Sequence, residues 1–199
     1  MRPRPIQLIV SLSLIGITSI FGFADQQTES PGETMARMAR LGEILATPNK
    51  HHSFLETLSG EWKTSTSVMK MPAENGVATS KMILGNRFLE ISWEGPFMGI
   101  PTSGQITVGY DNYKKKYIGM FIDTSRTSML TAEGMLDQSK SILSLWGTMD
   151  EWMTDEHDKP IMYRCKAIDQ NHFVLELHDL GIIPGDTEVV TMHFNRSTE

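Results

Sequence analysis

The side chains in this sequence that could do chemistry are few and scattered. Cys165 is the only cysteine, so neither an internal disulfide nor a multi-cysteine zinc site can form. It alternates with Ile161, Tyr163 and Ala167, the pattern of a small core hydrophobe, and no base is implied beside it to make a nucleophile. Six histidines are present. His51 and His52 are neighbours, so on a helix they point apart and cannot share an ion; they read as surface or capping residues. His172 sits beside a turn, and His178 shares parity with Val174 and Glu176, which faces it outward. His157 lies in the acidic run 150–158, where Asp155, Glu156, His157 and Asp158 lack the alternating ligands and central glycine of a calcium loop. That run reads as a solvated charged loop. Walker, His-Glu-x-x-His, Gly-x-Ser-x-Gly and dinucleotide glycine patterns are all missing. The sequence therefore nominates no catalytic residue, no cofactor and no metal, and any function must come from a shaped site.

The elements that would shape it are strands. Residues 104–123 read as a hairpin: Ile106, Val108 and Tyr110 alternate with small or polar residues, Asp111-Asn112 supplies turn chemistry, and the chain returns through Tyr117, Ile118, Met120, Phe121 and Ile122. The same alternation predicts strands near 61–71, 77–84, 87–94, 104–110, 115–123, 127–135, 140–149, 160–168, 172–178 and 187–196. About ten strands joined by short turns imply an antiparallel up-and-down sheet, and a sheet of that size curls or closes because closure removes both edges. The apolar stretch 95–101, rich in Gly and Pro, is expected to be a loop packed over one mouth.

Ahead of the strands, residues 1–24 read as a secretory signal, with Arg2 and Arg4, an apolar core from Ile6 to Phe23 and a Gly22-Phe23-Ala24 cleavage site. An uncleaved membrane anchor is the competing reading. Residues 25–34 are a polar linker and 35–58 a helical segment. Within it, Met35, Met38, Leu41 and Leu45 fall at helical spacing and are expected to cover the outside of the sheet, and Phe54, Leu55 and Leu58 mark a second, short helix. A net charge of −6 and the absence of a basic tract argue against nucleic acid and anionic lipid as partners. The mature chain is expected to start at Asp25, to be exported to the periplasm or beyond, and to insert no stable membrane segment after cleavage.

Gly60-x-Trp62, directly after a short helix, resembles the Gly-x-Trp signature of lipocalin-like (calycin) barrels, and Arg196 stands where those folds carry a basic residue across the tryptophan. A wider set is similar to a bacterial domain family of unknown function, often secreted: Gly85-Asn86-Arg87-Phe88-Leu89, Met98-Gly99-x-Pro101, Gly104, Gly109-Tyr110-Asp111-Asn112, Tyr117 and Asp123. The resemblance covers 51–196 and departs from the pattern at Asn86, Phe121 and 193–196. It implies an all-β, roughly ten-stranded lipocalin-like barrel over residues 59–199, preceded by one or two short helices, and no established activity.

On that fold the expected function is non-enzymatic binding of a small apolar or amphipathic molecule in a lumen of a few hundred Å³. The expected lining is Trp62, Arg87, Tyr117, Phe121, Trp146, Tyr163 and Arg196. An arginine at the inner edge would pair with a carboxylate; for Arg196, stacking on Trp62 is the favoured role. His193, if it faced the lumen, would be a haem ligand of the kind found in related nitrobindin barrels, although a hydrogen-bonded structural role is preferred. The alternatives are an enzyme acting on a small hydrophobic substrate in the same cavity, and a structural or interaction barrel filled by its own side chains.

Overall fold

The computed structural model describes residues 29–182 and 185–197. The expected signal segment 1–24 lies outside these residues. Two helices, α1 (Pro31–Ala46) and α2 (His52–Thr57), precede ten strands. These are β1 (Gly60–Val68), β2 (Glu74–Ile83), β3 (Phe88–Phe97), β4 (Ile100–Asp111), β5 (Lys116–Asp123), β6 (Leu130–Leu136), β7 (Ile142–Glu151), β8 (Glu156–Asp169), β9 (His172–Asp179) and β10 (Glu188–Arg196). Every strand pairs antiparallel with its neighbours in sequence, and β1 pairs with β10 to close the barrel. Among the described residues, those from Ala39 onward form one compact unit and those up to Met38 belong to another.

Alternation builds the core. Leu89 and Ile91 on β3, Ile106 and Val108 on β4, Tyr117 and Phe121 on β5, Leu143 and Leu145 on β7, Ile161, Tyr163 and Cys165 on β8, and Phe173 on β9 all point inward and are buried. Burial pushes the Cys165 thiol up to about 12, which keeps it a protonated hydrophobe. At one end α2 caps the lumen: Leu55 is fully buried, flanked by Phe54 and Leu58. Burial of this kind stabilises by about 1.5–3 kcal/mol per side chain.

Three expectations need correction. The first concerns 95–101, which is not a loop. β3 and β4 run on until Phe97 pairs with Ile100, and the turn is Met98-Gly99 alone. Both residues have positive φ (54° and 76°), the backbone of a tight hairpin turn whose twist matches the strands. The second is outer cover by α1. The helix starts well, with Ser30 and Glu33 exchanging side-chain-to-backbone hydrogen bonds in a capping box and Pro31 at the first position. In its part within the barrel unit, however, Leu41 and Leu45 remain 47% and 41% exposed. The sheet needs no such cover, because its outer face carries polar cross-strand pairs such as Thr79–Glu61, Gln105–Glu90 and Lys116–Glu133. The outward Ile118, Met120 and Ile122 are half-buried among them. The third is the acidic run, which shrinks to a loop of 152–155 because β7 reaches Glu151 and β8 starts at Glu156.

The tail of α1 is tied to the barrel by polar contacts. Arg87 Nε donates to Ala46 O (2.7 Å), and Asn112 Nδ2 donates to Leu45 O and Thr47 O (2.8 and 2.9 Å). Among the described residues no helix is long and apolar enough to cross a membrane.

Candidate functional site

The two ends of the lumen differ in what the inward positions carry. At the α2 end the alternation delivers Trp62, Tyr110, Tyr117, Phe173 and Phe194, which fill the space. Trp62 meets Phe173 edge-on at 4.8 Å, Phe173 stacks on Phe194 at 4.1 Å, and Tyr117 meets Tyr110 at 5.0 Å. Trp62 Nε1 donates to Ser80 Oγ (2.8 Å), and Ser80 Oγ in turn donates to Leu58 O, while Ser59 Oγ is the one buried side-chain polar atom without a partner among the described residues. The Tyr117 hydroxyl donates to His51 O (2.8 Å), and burial pushes that phenol up to about 12. Trp62 and Arg196 are direct cross-strand partners, and the guanidinium sits 4.3 Å above the indole. Arg196 also donates to Gln170 O and Ser59 O, so it laces the last strand to both flanking turns.

At the other end the inward positions leave room. Phe121 and Tyr163 stack face to face at 3.8 Å and 8° across the lumen, and they floor a cavity of about 110 Å³. Its walls are Trp93, Ile106, Leu130, Leu175, Leu177 and Met192. Below the aromatic pair only about 30 Å³ is left, lined by Leu55, Leu89, Leu143 and Cys165. Glycine contributes to this division. A Cβ on Gly119 would lie 2.9 Å from Leu145 and 3.0 Å from Phe121, so its absence lets the Phe121 ring lean into the lumen. Gly147 admits a close approach as well, since a Cβ there would sit 2.3 Å from Thr131 O.

The cavity reaches the surface beside Thr102, Asp123, Ser125 and Arg126. Arg126 Nε pairs with Asp123 Oδ2 at 3.2 Å, and Asp123 Oδ1 accepts from Ser125 N at 2.9 Å. Tyr163 is only 6% exposed, and among the described residues nothing hydrogen-bonds its hydroxyl. Burial drives this phenol well above its ordinary value; Arg126 pulls it partly back and Asp123 pushes it further. It is therefore a neutral donor at the cavity, not a phenolate. The arrangement is an apolar slot whose mouth carries the Arg126 guanidinium, the Asp123 carboxylate and the Thr102 and Ser125 hydroxyls, with the Tyr163 hydroxyl within electrostatic reach of the ion pair, a layout suited to holding a molecule with an apolar body and a polar end.

Of the residues expected to line the lumen, Phe121 and Tyr163 do line this cavity. Trp62, Tyr117 and Arg196 sit at the opposite, plugged end. Arg87 is outside, bonding the carbonyls of Ala46 and Leu84, because it stands in the β2–β3 turn and not within a strand. Trp146 is 47% exposed, since Leu143 and Leu145 take the inward parity of β7 and leave Trp146 on the outer face. His193 also faces outward, stacked on His172 at 5.4 Å with Nδ1 3.1 Å from His172 Nε2. It cannot reach a lumenal haem, and a 110 Å³ cavity is far too small for a porphyrin. The cavity is smaller than expected because Phe121 and Tyr163 stack across it. Trp93, Asp123, Arg126, Leu130 and Met192 were absent from the expected site. Trp93 and Met192 share the inward parity of Ile91 and Phe194, a signal that could have found them, but Arg126 lies in a segment expected to lead straight into a strand.

Comparison with solved structures finds barrels of low sequence similarity. A redesigned β-barrel matches at 10% identity and TM-score 0.40, covering 72% of this chain and 95% of that one. A de novo designed fluorescence-activating β-barrel matches at 10% identity and TM-score 0.41, covering 72% and 96%. An S-type phycobiliprotein lyase from Guillardia theta matches at 10% identity and TM-score 0.47, covering 79% and 97%. No curated protein matches. A family model does match, over residues 47–196, from the loop ahead of α2 to the last residue of β10. The chain belongs to the DUF1579 family, proteins of unknown function.

Proposed function

We propose that the barrel binds one small apolar or amphipathic molecule in the cavity at its open end, without catalysing its conversion. The observation that carries this reading is a slot with apolar walls and a polar mouth, at the bottom of which the aromatic pair Phe121–Tyr163 blocks further entry. Size defines the ligand class. An apolar cavity of about 150 Å³ accommodates benzene, so about 110 Å³ takes one ring or a short chain with its polar end at the mouth. Long-chain fatty acids need several hundred Å³ and are excluded on this geometry. Arg126 favours an anionic end, and Tyr163 offers a hydrogen bond to it. The leader, with Arg2, Arg4 and Gly22-Phe23-Ala24, supports export as part of the same proposal. N-terminal sequencing of protein released by its host tests it: a start at Asp25 is expected, and membrane-bound material beginning at Met1 contradicts it.

The ligand test is a calorimetric size series of single-ring aromatic acids against long-chain acids. Saturable binding of one single-ring acid per barrel is expected, weakened several-fold by Tyr163→Phe. If neither the single-ring nor the long-chain compounds bind saturably, the lumen is a filled core and the proposal is wrong.

A further inference from the structure

On the outer wall of the barrel, away from the cavity, β9 and β10 bring together a second constellation. Glu176 and His178 stand two residues apart on β9, hence on one face, and this face points away from the lumen. Outer positions of a barrel are normally wet, yet Glu176 is 4% and His178 7% exposed. Glu188 completes the group by a backbone irregularity. Val190, Met192 and Phe194 alternate along β10 on the lumen side, and parity would place Glu188 with them. The register shifts between Glu188 and Val190, and Glu188 pairs instead with His178. A bulge of this kind re-aims a side chain. Here it delivers a carboxylate to a histidine–carboxylate pair, and one ligand atom from each of the three lies within 4.8 Å of the other two.

We propose that Glu176, His178 and Glu188 form a binding site for a divalent transition-metal ion, with Zn²⁺ as the reference ion. The surroundings orient the ligands as second-shell groups do in metal sites. His178 Nδ1 lies 3.1 Å from Thr187 Oγ1, which turns Nε2 toward the carboxylates. Nε2 is 3.1 Å from Glu176 Oε2, while Glu176 Oε1 is taken by Lys166 Nζ. Thr191 Oγ1 donates to Glu188 Oε1 and leaves its second oxygen available. Arg164 Nη1 lies 4.0 Å from Glu176 Oε2, and the Lys70–Asp186 ion pair stands within electrostatic reach of Glu188 and His178. Tetrahedral metal bonds of about 2.0–2.2 Å put ligand atoms about 3.4 Å apart, so a pair at the 4.8 Å limit must close by about 1.4 Å, a rotamer adjustment of the two Glu side chains. One imidazole and two carboxylates suit Zn²⁺ or Mn²⁺-type ions better than Ca²⁺ or Mg²⁺, which prefer all-oxygen shells.

Such an ion would cross-link β9 to β10. Leu177 and Val190, on the opposite side of the same wall, line the cavity, so the ion would stiffen that part of the site. A proton on His178 Nε2 competes for the same place, and the experiment separates the two. Purified protein is stripped with EDTA, and its melting temperature is read with and without ZnCl₂; Co²⁺ loading is followed by visible absorption. A rise of several degrees is expected, together with a one-per-chain Co²⁺ band, both lost in Glu188→Gln and His178→Gln. Glu188 is only half-buried, so Glu188→Gln decides the matter should the histidine variant fail to fold. An equal rise in Glu188→Gln would place the ion on exposed histidines such as His157 or the His172–His193 pair and overturn the proposal. No rise and no band would leave only a hydrogen-bonded carboxylate–histidine pair and overturn it equally.

Discussion

At the end of the barrel capped by α2, large aromatic side chains fill the lumen, and the polar atoms of Trp62, Tyr117 and Arg196 are spent on neighbouring protein groups. Trp62 gives its N–H to Ser80, Tyr117 gives its O–H to His51 O, and Arg196 spans two turns. At the opposite end aliphatic walls surround Trp93 and the Phe121–Tyr163 pair, no hydrogen bond holds the Tyr163 hydroxyl among the described residues, and charge gathers at the rim in Arg126 and Asp123. The same fold and the same alternation produce both ends. What differs is whether the polar atoms are consumed by the protein, and this separates a structural plug from a binding slot.

The sharpest way to break the comparison is to damage the plug. Trp62→Ala should cost about 3–5 kcal/mol, because it removes a buried ring and leaves a void while stranding Arg196. Chemical denaturation measures this, and a loss below about 1 kcal/mol would mean that the α2 end is not the stability centre. Ser80→Ala should cost roughly 1–3 kcal/mol, since Trp62 Nε1 loses its acceptor in a buried place; the same unfolding series reports it.

Acid should weaken β9 next. Burial alone would raise the Glu176 carboxyl, but hydrogen bonds from Lys166 and His178, with their charges, hold it below the usual carboxylate value of 4.5. A depressed folded-state value gives stability that is fully present above about pH 4.5 and is lost as pH falls through the folded value. A pH series of melting temperatures should therefore decline below this point in the native chain, and decline less steeply in Glu176→Gln.

The smallest effect on stability should come from the open end. Arg126→Gln removes a partly exposed ion pair and should change stability by less than about 1 kcal/mol. It should nevertheless weaken binding of a single-ring aromatic acid several-fold and that of its neutral amide much less. A stability loss as large as that of Trp62→Ala would erase the distinction between the two ends.

The fold could be read in the sequence because its signals are local. Period-2 alternation located all ten strands, and Gly60-x-Trp62 with Arg196 located the seam, where the two side chains do stack. Strand ends were less legible. Met98-Gly99 turns in two residues at positive φ, so the apolar run 95–101 continues two strands where its Gly and Pro content suggested a break. The site was half legible. Parity placed Phe121 and Tyr163 inward but could not say at which depth, so Trp62 and Tyr117, which share their orientation, were grouped with them. Arg126 carries no periodic signal, being in the connection after β5, and it comes to the mouth only through its pairing with Asp123. Nor does alternation reveal that two rings stack across a lumen and shrink it to about 110 Å³.

The central claim, one slot at one end, is tested most directly by backbone amide NMR during titration with a single-ring aromatic acid. Saturable shifts at Trp93, Arg126, Leu130 and Tyr163 are predicted, with Trp62, Tyr117 and Phe194 unmoved. Shifts centred on Trp62, Tyr117 and Phe194, or no saturable shifts at all, would contradict the account.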